Sequence, residues 1–114
     1  MIITLRATGM ELTEALKLYT DEKFSGLVKY FDNIQKAEVN IGMRSHHHQK
    51  GKIYYCEVNL HIPGKVLCVE KDAEDLYKAI DSVKDHLKVE LQDAKERMRD
   101  RDRDGVRHQK EYVE

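Results

Sequence analysis

The chain has no tryptophan, a single proline (Pro63) and only two cysteines. Cys56 and Cys68 fit no close metal-binding spacing and no redox-pair motif. Both fall in the predicted strands of one hairpin. If the turn is Pro63-Gly64, they point to opposite faces. If it is Pro63-Gly64-Lys65, they share a face but sit about four residues out of register, and neither geometry suits a disulfide. Buried or half-buried free thiols are expected, in keeping with a reducing compartment. No apolar run approaches the length of a membrane span. The N-terminal stretch MIITLRATGMELTEAL has no basic leader and no long apolar core, so no signal peptide and a cytoplasmic location are expected. No excess of charge of one sign exists either: the formal net charge is −1 and the pI about 6.6. A role with nucleic acid must therefore rest on local segregation of cations.

Signatures of catalysis are also missing. There is no nucleophile elbow, phosphate-cradling loop or HExxH helix. The serines (Ser25, Ser45 and Ser82) lack an activating context, and most carboxylates sit on predicted exposed helix faces with nothing to perturb them. The reading is of a protein that is not an enzyme, with no cofactor, no metal and no small-molecule substrate.

What is present is one domain's worth of chain, 114 residues, 40% hydrophobic and 36% charged, which is enough for a single core. Its organising stretch is Asp72–Arg99, free of proline and glycine. Leu76, Ile80, Val83, Leu87, Leu91, Ala94 and Met98 recur at steps of three and four, so they line one side of a helix. Asp72 is expected as its N-cap, with Glu74 and Asp75 complementing the helix dipole in the first turn. Such a helix is roughly 40 Å long and should project beyond what it packs on.

The rest of the chain reads as short elements. Ile2–Ala7 is a strand ended by Gly9. Thr13 caps a helix expected to reach about Phe31, with Lys23 at the edge of its apolar surface. Gly26 lies inside that helix, where it costs about 1 kcal/mol relative to alanine. Asp32-Asn33 marks a turn. Ala37–Met43 alternates apolar and polar, as does Ile53–Ile62, whose inner face should be Tyr54, Cys56, Val58, Leu60 and Ile62. Pro63-Gly64 turns into a fourth strand, Val66–Lys71. The fold class is therefore α+β with the order β-α-β-β-β-α. The first two strands are parallel through a right-handed crossover and the last three form an antiparallel meander. Both helices cover one face of a four-stranded sheet and leave the other open and polar. Residues 1–99 form this domain. The alternating run Arg99–Gly105 and the residues to 114 form a charged tail expected to be flexible.

Candidate binding residues come from the long helix. Lys84, Lys88, Lys95 and Arg99, spaced by four, seven and four, make one stripe beside the apolar seam, and Arg97 lies on the other flank. A stripe of long cations can follow a phosphate backbone. Asp81, Asp85, Glu90, Asp93 and Glu96 lie among them, and a mixed-charge face is more often simply solvated. The run His46-His47-His48 reads as a polar loop, because neighbouring side chains in extended chain point apart and no Cys, Asp or Glu stands in the loop to complete a metal set. Arg44, Lys50 and Lys52 flank it and offer contacts to an anionic partner.

Two segments carry a resemblance to a known family. Thr13-Glu14-Ala15-Leu16 with Lys23-Phe24, Leu27 and Tyr30-Phe31 is similar to the first helix of the bacterial ribosome hibernation factors, also called ribosome-associated inhibitors or sigma modulation proteins. Asp75-Leu76-Tyr77-Lys78-Ala79-Ile80-Asp81, followed by Leu87 and Leu91, resembles the Asp-hydrophobic-Tyr-x-Ala-Ile-Asp run that opens that family's second helix. The similarity extends from Ile2 to Arg99 and includes the element order. It implies a fold similar to double-stranded-RNA-binding domains. It also implies binding to the small ribosomal subunit, contact with 16S rRNA near the A and P sites, and exclusion of mRNA and tRNA.

By position, the resemblance implies RNA-binding roles for Lys23, Lys88, Lys95, Arg97 and Arg99, to which the residue pattern adds Lys29 and Lys84. The chain departs from the family at Val89 and Asp93, where relatives carry basic residues, at Glu90 in place of a common Gln, and at Gly26 in place of a frequent lysine. Those departures imply either a weaker affinity for RNA or contacts moved towards Arg97–Arg103 and the Arg44–Lys52 loop. A different class of function remains on the same residues: a protein-interaction module that pairs through its open sheet face or long helix without RNA.

Overall fold

The computed structural model describes residues 1–45 and 52–113, and side chains for residues 1–44 and 53–99. The histidine run His46–His48 and Lys50 lie outside the described residues. The elements are β1 (Ile2–Thr8), α1 (Glu14–Ser25), a short 3-10 helix (Gly26–Lys29), β2 (Lys36–Ser45), β3 (Lys52–Ile62), β4 (Lys65–Ala73) and α2 (Leu76–Val113). The sheet order is β1-β2-β3-β4. β1 runs parallel to β2, and the other two pairings are antiparallel. This is the β-α-β-β-β-α order that the alternating strands and the one-sided helices require.

Alternation on each strand decides which face meets the helices. Ala37, Val39 and Ile41 of β2, Cys56, Val58, Leu60 and Ile62 of β3, and Leu67 and Val69 of β4 are buried on one face. Leu16, Phe24 and Leu27 come down on that face from the first helical segment. Along α2, Leu76, Ile80, Val83, Leu87, Leu91 and Ala94 are all buried, and Met98 closes the seam half-buried. Each fully buried leucine of this seam contributes about 2 kcal/mol by removal from water, and truncation to alanine costs about 2–5 kcal/mol once the cavity is counted.

Helix boundaries differ from the sequence expectation in three places. The cap of α2 is Asp75 rather than Asp72: Asp75 Oδ1 accepts from the Tyr77 N–H at 2.9 Å, and the Asp75 carbonyl accepts from the Ala79 N–H at 3.1 Å. Asp72 is instead part of β4, opposite Tyr55, where Arg44 holds its carboxylate. The helix expected to run from Thr13 to Phe31 tightens at Gly26 into the 3-10 turn, although Thr13 does cap it, accepting from the Leu16 N–H at 3.2 Å. At its other end α2 continues helically past Arg99 to Val113. No proline stands in that stretch, and Gly105 is its one glycine.

The hairpin turn is the two-residue form, with Ile62 opposite Lys65. Gly64 has φ +75°, which L side chains rarely adopt, so the Pro63-Gly64 pair has the chemistry of a type II turn. This register puts Cys56 inside and Cys68 outside. Among the described residues no helix is long and apolar enough to cross a membrane.

Candidate nucleic-acid interface

Two helical segments packed side by side on the sheet leave a groove between them, and the cations of α2 face it. At 100° per residue, Lys84, Lys88, Lys95 and Arg99 fall within about 60° of one another, on the flank turned towards α1 and the 3-10 helix. Lys29, Tyr30, Gln92, Asp93, Lys95, Glu96 and Arg99 line one concavity at this junction. The Lys88 ammonium stands over the Tyr30 ring, 5.2 Å from its centroid. That cation–π contact holds the long lysine stem at the groove wall instead of leaving it to sweep through solvent. Lys84, one turn before Lys88, is half-buried.

Lys23 closes the far end of the groove from α1. Its ammonium lies 5.3 Å from the centroid of the Tyr19 ring and 3.7 Å from Asp81 Oδ1. Asp81 also accepts the Tyr19 hydroxyl proton at 2.6 Å. The rings of Tyr19 and Tyr77 meet edge-to-face at 4.7 Å. This cluster ties the two helices together and fixes the width of the groove. The Asp81 carboxylate, accepting the hydrogen bond, is the main reason the Tyr19 hydroxyl is raised from 10.0 to about 12; burial and the nearby negative charges add to it. Lys23 is consequently a cation already matched by a carboxylate, whereas Lys29, Lys88, Lys95 and Arg99 have no salt-bridge partner among the described residues.

Of the seven expected sites, the fold brings Lys29, Lys95 and Arg99 to one concavity with Lys88 beside it over Tyr30, while Lys84 follows on the same flank of α2 and Lys23 meets that flank at Asp81. Arg97 stands apart. It projects from the opposite flank of α2, the side carrying His86 and Glu90, which pair at 3.1 Å. Tyr30 belongs to the site and was missed from sequence because it follows the end of α1, where helical spacing no longer assigns a face. Asp93 and Glu96 sit in the groove with the cations and reduce its positive potential.

The open face of the sheet carries a polar concavity in which a single cation, Arg6, stands with Glu38 and Glu57. Tyr55, the aromatic residue on the outer side of β3, is only 7% exposed and offers no free ring for a base to stack on. The Arg44 guanidinium covers its ring at 4.2 Å. Arg44 itself is held by Asp72 at 3.1 Å and by Glu70, which raises its pKa, the Glu70 hydrogen bond being the largest cause. Arg44, one of the three cations expected to serve an anionic partner beside the loop, is therefore already doubly paired. Towards the other end of β2 and β3, His61 contacts Glu38, and this bond is the chief cause that lowers the Glu38 carboxyl below its ordinary value. No cluster of metal-ligating side chains exists among the described residues.

Comparison with known proteins agrees with this architecture. Residues 3–99 match the family model described as sigma 54 modulation protein / S30EA ribosomal protein. A ribosome hibernation promotion factor of Deinococcus radiodurans is 33% identical over 98 residues, which is 84% of this chain and 50% of that relative. A ribosome hibernation promoting factor of Azotobacter vinelandii is 32% identical over 101 residues and 89% of each chain. The chain thus spans about half the length of the Deinococcus relative, and 54% of a Lactococcus lactis one. Among solved structures, the N-terminal domain of Thermus thermophilus Protein Y superposes with a TM-score of 0.71 at 30% identity, covering 81% of this chain and 97% of that one. A ribosomal subunit interface protein from Coxiella burnetii shares the fold with a TM-score of 0.73.

Proposed function

The chain belongs to the sigma 54 modulation protein / S30EA ribosomal protein family, and from that membership we propose that it is a ribosome hibernation factor acting on the small subunit. In this reading the groove cations hold 16S rRNA phosphates near the A and P sites, and the body of the domain excludes mRNA and tRNA. The mechanism is steric: no bond is made or broken, and no cofactor takes part. Affinity comes from phosphate neutralisation, which releases counterions and makes binding salt-dependent. Such a factor works where ribosomes are, in the cytoplasm.

The observation that carries the reading is the convergence of Lys29, Lys95 and Arg99 on one concavity, beside a Lys88 that Tyr30 holds in place. These cations come from two separate elements and meet only in the folded chain. A merely solvated helix face does not need that convergence. Relatives named as hibernation factors supply the partner class. The charged tail after residue 99 would then extend from the docked domain along α2.

Co-sedimentation with purified small subunits across a salt series, with mRNA and initiator tRNA as competitors, tests this. Saturable binding that weakens with salt and yields to the competitors is expected. No association at low salt, together with no effect of charge reversal at Lys88, Lys95 and Arg99, would overturn it.

A further inference from the structure

The two edges of the sheet are not alike. β4 carries Lys65, Glu70, Lys71 and Asp72, charges of the kind that keep an edge strand from pairing with another chain. β1 carries a single charge, Arg6, in the seven residues IITLRAT, and its Ile2 is 67% exposed. Next to β1, an apolar groove lined by Ile3, Leu5, Leu12 and Leu18 opens between the strand and α1. Leu18 stands 69% exposed at its rim. Thr20 also lines this groove, and its buried hydroxyl is without a hydrogen-bond partner.

From this edge we propose that two copies of the chain associate through β1, strand against strand across a two-fold axis, to form one continuous eight-stranded sheet. Backbone polarity sets the register. The Ile2 N–H donates to the Gln35 carbonyl on the β2 side at 3.3 Å. Alternation then turns the polar groups of Thr4, Arg6 and Thr8 towards β2 as well, and leaves those of Ile3, Leu5 and Ala7 facing the free edge. An axis through Leu5 pairs Leu5 with its copy and Ile3 with Ala7, both ways round, and satisfies all three exposed residues. It also sets Arg6 opposite Thr4. Shifting the axis by one residue to Arg6 would put Arg6 against itself and leave Ile3 unpaired.

The helical layer is self-complementary about the same axis. A two-fold normal to the sheet keeps both α1 helices on one side and runs them antiparallel. Lys17 and Asp21 both line the groove of each copy, so the lysine of one meets the aspartate of the other, while Lys17 already pairs with Glu14 of its own helix at 3.3 Å. Leu18 closes over the apolar groove. The cationic groove lies on the far side of α1, where Tyr19 and Lys23 face α2, so pairing through β1 leaves it open. The occupant is thus a second copy, recognised by an undefended strand edge, an apolar rim and a reciprocal pair of opposite charges.

Sedimentation equilibrium of the full chain without ribosomes, over a wide concentration range, tests the proposal, together with amide hydrogen exchange read residue by residue. A monomer–dimer equilibrium is expected, with exchange at Leu5 slowing as concentration rises. Leu18→Lys, at an exposed position that folding does not need, should weaken the dimer roughly tenfold or more by setting like charges together. Asp21→Lys should weaken it, and the double exchange Lys17→Asp with Asp21→Lys should restore it. A chain that stays monomeric throughout, or a dimer that is indifferent to Leu18→Lys and leaves Leu5 exchange unchanged, would overturn the proposal. Since no ribosome is in the experiment, its outcome is independent of the proposed function.

Discussion

The Tyr19 hydroxyl donates to Asp81 across 62 residues of sequence, at 2.6 Å, and this bond joins the two helices whose separation defines the cationic groove. Tyr19→Phe should cost about 1 kcal/mol in chemical denaturation, the usual net value for a partly exposed hydrogen bond. Tyr19 should titrate at about 12, raised from the ordinary 10.0. The sign follows from linkage: a raised folded-state pKa means that the contribution is complete below the unfolded value and is lost as pH rises through about 12. Asp81→Asn should bring the Tyr19 titration, followed by ring-carbon NMR, back towards the ordinary value. A Tyr19 that titrates at the ordinary 10.0 in the native chain would refute the coupling.

Opposite outcomes are expected for alanine at two glycines. A methyl group on Gly42 would lie 2.6 Å from the Thr8 carbonyl oxygen and 2.5 Å from the Tyr55 ring. Thr8 is on the paired strand and cannot yield, so Gly42→Ala should destabilise by about 1–3 kcal/mol. Gly26 has φ −65° and open space where a methyl group would go. Gly26→Ala should therefore stabilise by about 0.4–1 kcal/mol, chiefly by restricting the unfolded chain. Thermal or urea unfolding of both variants checks the pair, and equal effects would contradict the packing around Tyr55.

If the proposed function holds, removing an acid from the groove should strengthen binding to the small subunit. Asp93 shares the concavity with Lys29, Lys95 and Arg99, so Asp93→Lys replaces a repulsion with a contact. Its affinity for small subunits should rise several-fold, and the slope of log affinity against log salt should steepen by about one. Lys95→Ala should flatten the slope by about the same amount. Arg97→Ala, on the opposite flank, should change it less than either. A larger loss at Arg97 than at Lys95 would move the contact surface to the other side of α2.

The apolar seam of α2 and the strand alternation were legible because both are periodic, and periodicity survives without knowing the partner surface. The cationic stripe was legible for the same reason. What sequence did not disclose is the pairing that crosses elements. Asp72 looked like a cap because it precedes an apolar helix, yet Arg44, 28 residues away, draws it into β4. Strand alternation puts Tyr55 on the outer face, yet Gly42 leaves a hollow that its ring fills and Arg44 covers it. Tyr30 joins the groove only because the helix tightens at Gly26 and redirects the chain. The first two are long-range side-chain contacts overriding a local preference, and the third is a local change of helix type.

The two cysteines should differ sharply in reactivity. Cys56 is fully buried on the inner face of β3, and its thiol is pushed up to about 12 by burial, with Glu57 adding to it. Cys68 is exposed on the outer face of β4, opposite Asn59. The thiolate is the nucleophile, so a buried thiol with a raised pKa is inert at neutral pH. A maleimide or disulfide reagent should therefore label one cysteine promptly in the native protein, and peptide mapping should place the label on Cys68. Cys68→Ser should abolish prompt labelling. The second thiol should react only at the rate of unfolding or opening, and so should accelerate in urea along with the loss of structure. Because the side chains lie on opposite faces of the sheet, oxidation should give no intramolecular disulfide, only crosslinked pairs through Cys68. Prompt labelling of Cys56 in the native chain would mean that the inner face of β3 is not sealed by α2.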